Sequence, residues 1–148
     1  MKRKSMEGAE CPVARSLDLI GDWWTLLLVR DAFDGIRRFS EFQHSLGISK
    51  GILAARLRAL QEAGILQPVE PEDGGAYREY VLTPKGRDLF NVIVSLRQWG
   101  EAHCFQPDEA HSVLVEKSSG EPVGPLTLRN ARGRSLDASA TEVRKVGD

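Results

Sequence analysis

The chain has little cysteine: two residues in 148 can build neither a disulfide framework nor a four-thiolate zinc site. Long apolar runs are missing as well. The stretch from Leu17 to Phe33 is broken by Asp18, Asp22, Arg30 and Asp31, and nothing approaches the roughly 20 apolar residues of a membrane-spanning helix. Neither sign of charge dominates. A net charge of −1 excludes a uniformly basic nucleic-acid coat protein but permits a local basic surface. The three histidines, His44, His103 and His111, form no metal-ligand or catalytic pattern with their neighbours. With no phosphate-binding glycine loop and no nucleophile elbow, no catalytic site, cofactor or metal is expected. Lys2, Arg3 and Lys4 are not followed by an apolar segment, so they do not open a secretory signal and a cytoplasmic location is expected.

What the chain does have is a patterned middle. Ser40 is suited to cap a short helix, with Gln43 completing a capping box. Gly47 and Ile48 make a tight break. Ser49 then caps a second helix with Leu53, Leu57 and Leu60 on one stripe, ended by Gly64. Leu66 to Val69 and Tyr77 to Leu82 read as strands around the turn Pro71-Glu72-Asp73-Gly74-Gly75. Helix, turn, helix and hairpin in that order make a winged helix, a module most often used to hold double-stranded DNA.

Residues 1–10 read as a flexible basic arm. Pro12 starts a helix with Val13, Leu17 and Ile20 on one face, up to Gly21. Asp22 caps the next helix, which Asp34-Gly35 stops, and Arg37-Arg38-Phe39 is expected to be a short strand. Thr83-Pro84 opens a long helix to His103. Leu89, Phe90, Val92, Ile93, Val94, Leu96 and Trp99 cover more of that helix than one compact domain can bury. A second copy of the chain is the expected cover, making a homodimer suited to palindromic DNA. The expected interface on this helix therefore comprises Leu89, Phe90, Ile93, Val94, Leu96 and Trp99.

From Gln106 the composition shifts to short apolar pieces between glycines and prolines. Leu114 to Val123 around Gly120, and Thr127 to Leu136 around Gly133, read as two similar hairpins. The fold class expected is α+β: a winged helix-turn-helix domain over 11–105 with N- and C-terminal dimerisation helices, the latter over 84–103. A small β-hairpin extension over 106–140 and a loose tail over 141–148 follow.

The segments Cys11-Pro12-Val13, Leu17-Asp18-Leu19-Ile20-Gly21 and Trp24-Thr25-Leu26-Leu27 resemble the opening of HxlR-type regulators, relatives of the MarR winged-helix group. The likeness continues through Arg37-Arg38-Phe39-Ser40-Glu41-Phe42, Leu57-Arg58-Ala59-Leu60, Glu62-Ala63-Gly64-Ile65-Leu66 and Glu79-Tyr80-Val81-Leu82-Thr83-Pro84-Lys85-Gly86. The resemblance implies a homodimeric bacterial or archaeal transcription factor whose first and last helices build the dimer, which adds Val13 and Leu17 of the first helix to the expected interface. Longer family members carry paired Cys-Gly turns resembling a zinc ribbon. Here Ser119 and Arg132 precede Gly120 and Gly133, so no metal is expected. The wing is unusually acidic, with Glu70, Glu72 and Asp73, and acids there would repel a nearby phosphate.

With Leu53, Leu57 and Leu60 inward, a step of about 100° per residue turns Gly51, Ala54, Ala55 and Arg58 outward. Small residues let a helix sit deep in a major groove, and Arg58 can reach a phosphate or a guanine edge. Ser49 and Lys50 suit a backbone phosphate, while Arg56, Arg78, Arg37 and Arg38 are further cationic candidates. Cys11 occupies the place that resembles the sensing thiol of several family members. A thiolate there is favoured by the helix dipole and by Arg15, though a cysteine at that seam is more often a packing residue. Cys104 lies near the same seam if the family dimer holds. A small-molecule effector held among Trp23, Trp24, Phe33, Phe90 and Trp99 is the other possible signal, against plain core packing. The rival function is a winged helix used for protein–protein contact, which would bind with little salt dependence.

Overall fold

The computed structural model describes residues 4–147. Six helices and one two-stranded sheet are present among them: α1 (Pro12–Ile20), α2 (Trp23–Phe33), α3 (Phe39–Leu46), α4 (Lys50–Glu62), β1 (Leu66–Val69), β2 (Glu79–Leu82), α5 (Pro84–Arg87) and α6 (Phe90–His103), followed by a 3-10 turn at Ala138–Ala140. The chain divides into two compact units at Phe90/Asn91, so that all of α6 after its first residue belongs with the C-terminal segment.

Local chemistry sets most boundaries in the first unit. Pro12 occupies the first turn of α1, where its missing N–H is not needed. The Asp22 carboxylate accepts from the N–H groups of Trp24 and Thr25, both at 3.1 Å, and so starts α2. Ser49 Oγ accepts from Ile52 N–H at 3.3 Å and starts α4. Gly47, at φ +63°, closes α3 in a left-handed conformation that a side chain disfavours. Leu53, Leu57 and Leu60 of α4 are buried, with Leu28 and Val29 of α2, Phe42 of α3 and Leu66 of β1. In this core α2 packs on α3, α4 and β2, while α4 packs on β1. The sheet is antiparallel, pairing Leu66 with Leu82 and Val69 with Glu79.

Several expectations are corrected. The cap position of α3 is Arg38, not Ser40, and Glu41 Oε1 reaches back to the Arg38 N–H at 3.2 Å. Arg37-Arg38-Phe39 is no strand: its one ladder-like bond runs from Tyr80 N–H to Arg37 O at 2.7 Å, and helix begins two residues later. The second strand begins at Glu79, leaving Tyr77 and Arg78 in the wing. Asp31, one of the charges that interrupt the apolar run of Leu17 to Phe33, lies inside the fold. It is buried, with its Oδ1 accepting from Arg30 Nη2 at 2.8 Å.

The helix after Pro84 is broken. Thr83 Oγ1 donates to the Gly64 carbonyl and accepts from Gly86 N–H, which seats α5 against the start of β1. Gly86 is pressed so close that an added Cβ would lie 2.2 Å from the Ile65 carbonyl oxygen. Leu89 N–H then bonds Gly86 O at 3.1 Å, a tightened turn, and α6 starts afresh at Phe90.

The start of the chain is tied down over part of its length: Met6 N–H bonds Asp18 Oδ1 at 3.0 Å, and Ser5 Oγ bonds Asp18 Oδ2 at 3.3 Å. Lys2 and Arg3 of the expected arm lie outside the described residues.

In the second unit the segment after α6 contains two minimal hairpins, each with a single bridge: Val115 with Pro122, and Arg129 with Ser135. They turn at Gly120 (φ +73°) and Gly133 (φ +84°). Gln98 fastens this segment to α6, donating to Gly124 O at 2.9 Å and accepting from Leu126 N–H at 2.8 Å. Arg97 adds bonds to Ser112 O and Oγ at 3.1 and 3.0 Å.

Candidate DNA interface

The outward face of α4 carries Lys50, Gly51, Ala55 and Arg58, all exposed, with Ala54 half-buried beside them and Ser49 exposed at the cap. The three inward leucines fix that orientation. Among the described residues the side chains of Lys50, Arg58 and Arg78 have no hydrogen-bonding or ionic partner within the chain. Small side chains along the helix and unpaired cations at its edge leave a surface shaped for a polyanionic groove.

Three of the expected cations are differently placed. Arg56 Nε lies 3.3 Å from Asp22 Oδ2, so this arginine links α4 to the start of α2. Arg38 reaches across to the hairpin, with Nη2 2.7 Å from Asp73 Oδ2 and Nε 3.3 Å from Glu79 Oε2. Arg37 Nε is 3.4 Å from the other Glu79 oxygen. Glu79 is buried.

Of the three acids expected to make the wing repel phosphate, Asp73 alone is paired within the chain among the described residues. Asp73 is no bare charge facing outward: its Oδ1 accepts from Gly75 N–H at 2.9 Å and its Oδ2 holds Arg38. The Gly75 N–H, and after it Arg38, hold the Asp73 carboxyl below the usual carboxylate range. The same contacts, with Asp73 first and Glu79 next, raise Arg38. Glu79 was missed as a site residue because its apolar strand neighbours mark only a half-buried ladder. A signal was present in the adjacent pair Arg37-Arg38, which requires a nearby anion when partly buried. Between the start of α3 and the wing lies a groove of about 700 Å³, lined by Arg38, Phe39, Ser40, Tyr77, Arg78 and Tyr80.

Residues 19–108 match the HxlR-like helix-turn-helix family. The chain belongs to that family. It is an HxlR-type, MarR-related winged helix-turn-helix transcriptional regulator. The uncharacterized HTH-type transcriptional regulator Rv3095 of Mycobacterium tuberculosis is 39% identical over 126 residues, 85% of this chain and 80% of that protein. The crystal structure of PA1607, a candidate transcription factor, matches 95% of this chain and 99% of its own at 54% identity, with a TM-score of 0.91. The redox regulator HypR in its reduced form is 33% identical, covering 64% of this chain and 94% of its own, with a TM-score of 0.59.

For this HxlR-type chain the remaining expected residues fall as follows. Val13, Leu17, Phe90, Leu96 and Trp99 are exposed and Leu89 and Ile93 half-buried, while Val94 is already buried in the single chain. Cys11 takes the cap position of α1, and both it and Cys104 are exposed thiols. The aromatic residues do not share one role: Phe33 and Phe90 pack at 5.1 Å between ring centroids, whereas Trp23 is 75% exposed. Among the described residues no cluster of metal-ligating side chains is present and no helix is long and apolar enough to cross a membrane.

Proposed function

We propose that this regulator binds a palindromic operator as a homodimer, each protomer laying α4 in a major groove. Ser49 and Lys50 hold a backbone phosphate, Gly51, Ala54 and Ala55 allow close approach, and Arg58 takes a base edge or a phosphate. Arg78 contacts the backbone from the wing, and Arg37, Arg38 and Arg56 keep the reading elements in position. The observation that carries this reading is the division of cations: Lys50, Arg58 and Arg78 are unpaired, while Arg37, Arg38 and Arg56 are engaged inside the fold.

The test is fluorescence anisotropy against DNA from the protein's own upstream region and a scrambled control, at two salt concentrations. Arg58→Ala and Lys50→Ala should each weaken binding by about 1–3 kcal/mol. Unchanged binding in both variants would remove α4 as the reader. Weak binding, equal for both DNAs and insensitive to salt, would favour a protein-docking role.

The signal proposed is oxidation or alkylation of Cys11. Its exposed thiol stands at the start of α1, where a change of bulk or charge would shift a helix that carries the exposed apolar side chains of Val13 and Leu17. HypR, named a redox regulator, supports this choice over a small ligand. DNA affinity of the wild type that does not change with diamide would rule it out.

A further inference from the structure

The two hairpins after α6 share a backbone plan and differ in charge. The first, Leu114 to Val123, carries Glu116, Lys117 and Glu121. The second, Thr127 to Leu136, carries Arg129, Arg132 and Arg134 with no acid. In a chain of net charge −1 that is a concentrated local field.

Its tip is tightly organised. Asn130 Oδ1 accepts from the N–H groups of both Arg132 and Arg134, each at 3.0 Å. Asn130 N–H bonds Arg134 O, and Gly133 N–H bonds Asn130 O, both at 2.9 Å. Arg129 Nη1 donates to Gly133 O at 2.8 Å and braces the turn from below. The Arg132 and Arg134 side chains are exposed, and among the described residues neither guanidinium has a partner. Directly before the hairpin, Gln98 clamps Gly124 and Leu126 to α6, so the tip is presented from a helix and not from a loose tail.

We propose that this second hairpin is an additional DNA contact, with Arg132 and Arg134 gripping the phosphate backbone, and it rests on the DNA-binding reading above. Two planar guanidinium groups on a pre-organised turn suit bidentate contacts to phosphate oxygens. The turn residues Asn130, Ala131, Arg132, Gly133 and Arg134 present no aromatic or large aliphatic side chain, so what the tip offers a partner is positive charge and hydrogen-bond donors. The contact is therefore electrostatic and indifferent to base sequence.

The test compares wild type, R132A/R134A and, from the first hairpin, K117A by anisotropy on upstream and scrambled duplexes across a salt series. R132A/R134A should weaken both duplexes by about the same factor, and lower the slope of log affinity against log salt by about 1.8 per protomer, while K117A changes neither. An R132A/R134A slope equal to wild type, with α4 variants still defective, would overturn the hairpin proposal and leave the tip to an acidic protein. Wild type that binds no duplex at all would overturn the DNA-binding reading and the proposal together.

Discussion

At the scale of single residues, the wing depends on one arginine. Arg38 stands at the cap position of α3, yet its guanidinium bonds Asp73 at the far end of the hairpin turn and Glu79 at the base of β2. That side chain ties the start of α3 to the wing and neutralises one of its three acids, Asp73. The pH dependence follows from the sign of the shift. Asp73 is held below its ordinary value in the folded protein, so its brace is fully present above about 3.9, the unfolded value, and is lost as pH falls through the lower folded value. The Gly75 amide reports this directly, because it donates to the Asp73 carboxylate. Its NMR shift should titrate with a midpoint below about 3.9 in the wild type, and Arg38→Ala should move that midpoint upward. Titration at the ordinary aspartate value in both proteins would mean that the brace does not exist in solution.

At the scale of elements, α5 shows how a tertiary contact overrides a continuous helical pattern. The run from Pro84 to His103 has every local sign of one helix, but Gly86 is seated against the Ile65 carbonyl and the chain tightens at Asp88 and Leu89 before α6 begins. Gly86→Ala would place a Cβ 2.2 Å from that oxygen, so β1 or α5 must move. A loss of at least about 2 kcal/mol is expected in urea unfolding, within the range for overpacking a tight site. An unchanged midpoint would show that α5 shifts freely. The same contrast explains what was legible in the sequence. Asp22, Ser49, Thr83-Pro84 and Gly47 mark their boundaries through bonds spanning a few residues, so caps, stops and the inward stripe of α4 could be read directly. The Arg38 contacts span 35 and 41 positions, and nothing local announces them. That is why the pairing of Arg37 and Arg38 with Glu79, and of Arg38 with Asp73, could not be read from the sequence. The two hairpins were legible because glycine at positive φ marks each turn, whereas the basic tip required knowing which arginines stay unpaired.

At the scale of the whole molecule, the question is what covers the apolar side chains left open in a single chain. On α6, Val92, Leu96 and Trp99 are 39%, 51% and 63% exposed at a spacing of four and three residues, which places them on one face. On α1, Val13 and Leu17 are 66% and 50% exposed and also one turn apart. Monomeric proteins tolerate scattered exposed side chains, but not aligned stripes on two helices. A two-fold axis buries every such residue twice. Replacing Leu96 and Trp99 by aspartate would remove four large side chains from a two-fold interface, up to roughly 6–12 kcal/mol of burial. The double variant should sediment as a monomer at micromolar concentration while keeping the wild-type circular dichroism, because neither side chain is part of the single chain's core. Its affinity for a full palindrome should then drop to that for one half-site, since the gain from two linked reading heads is lost. A variant that still sediments as a dimer would place the two-fold contact elsewhere. A monomer that keeps full palindrome affinity would separate dimerisation from DNA reading altogether.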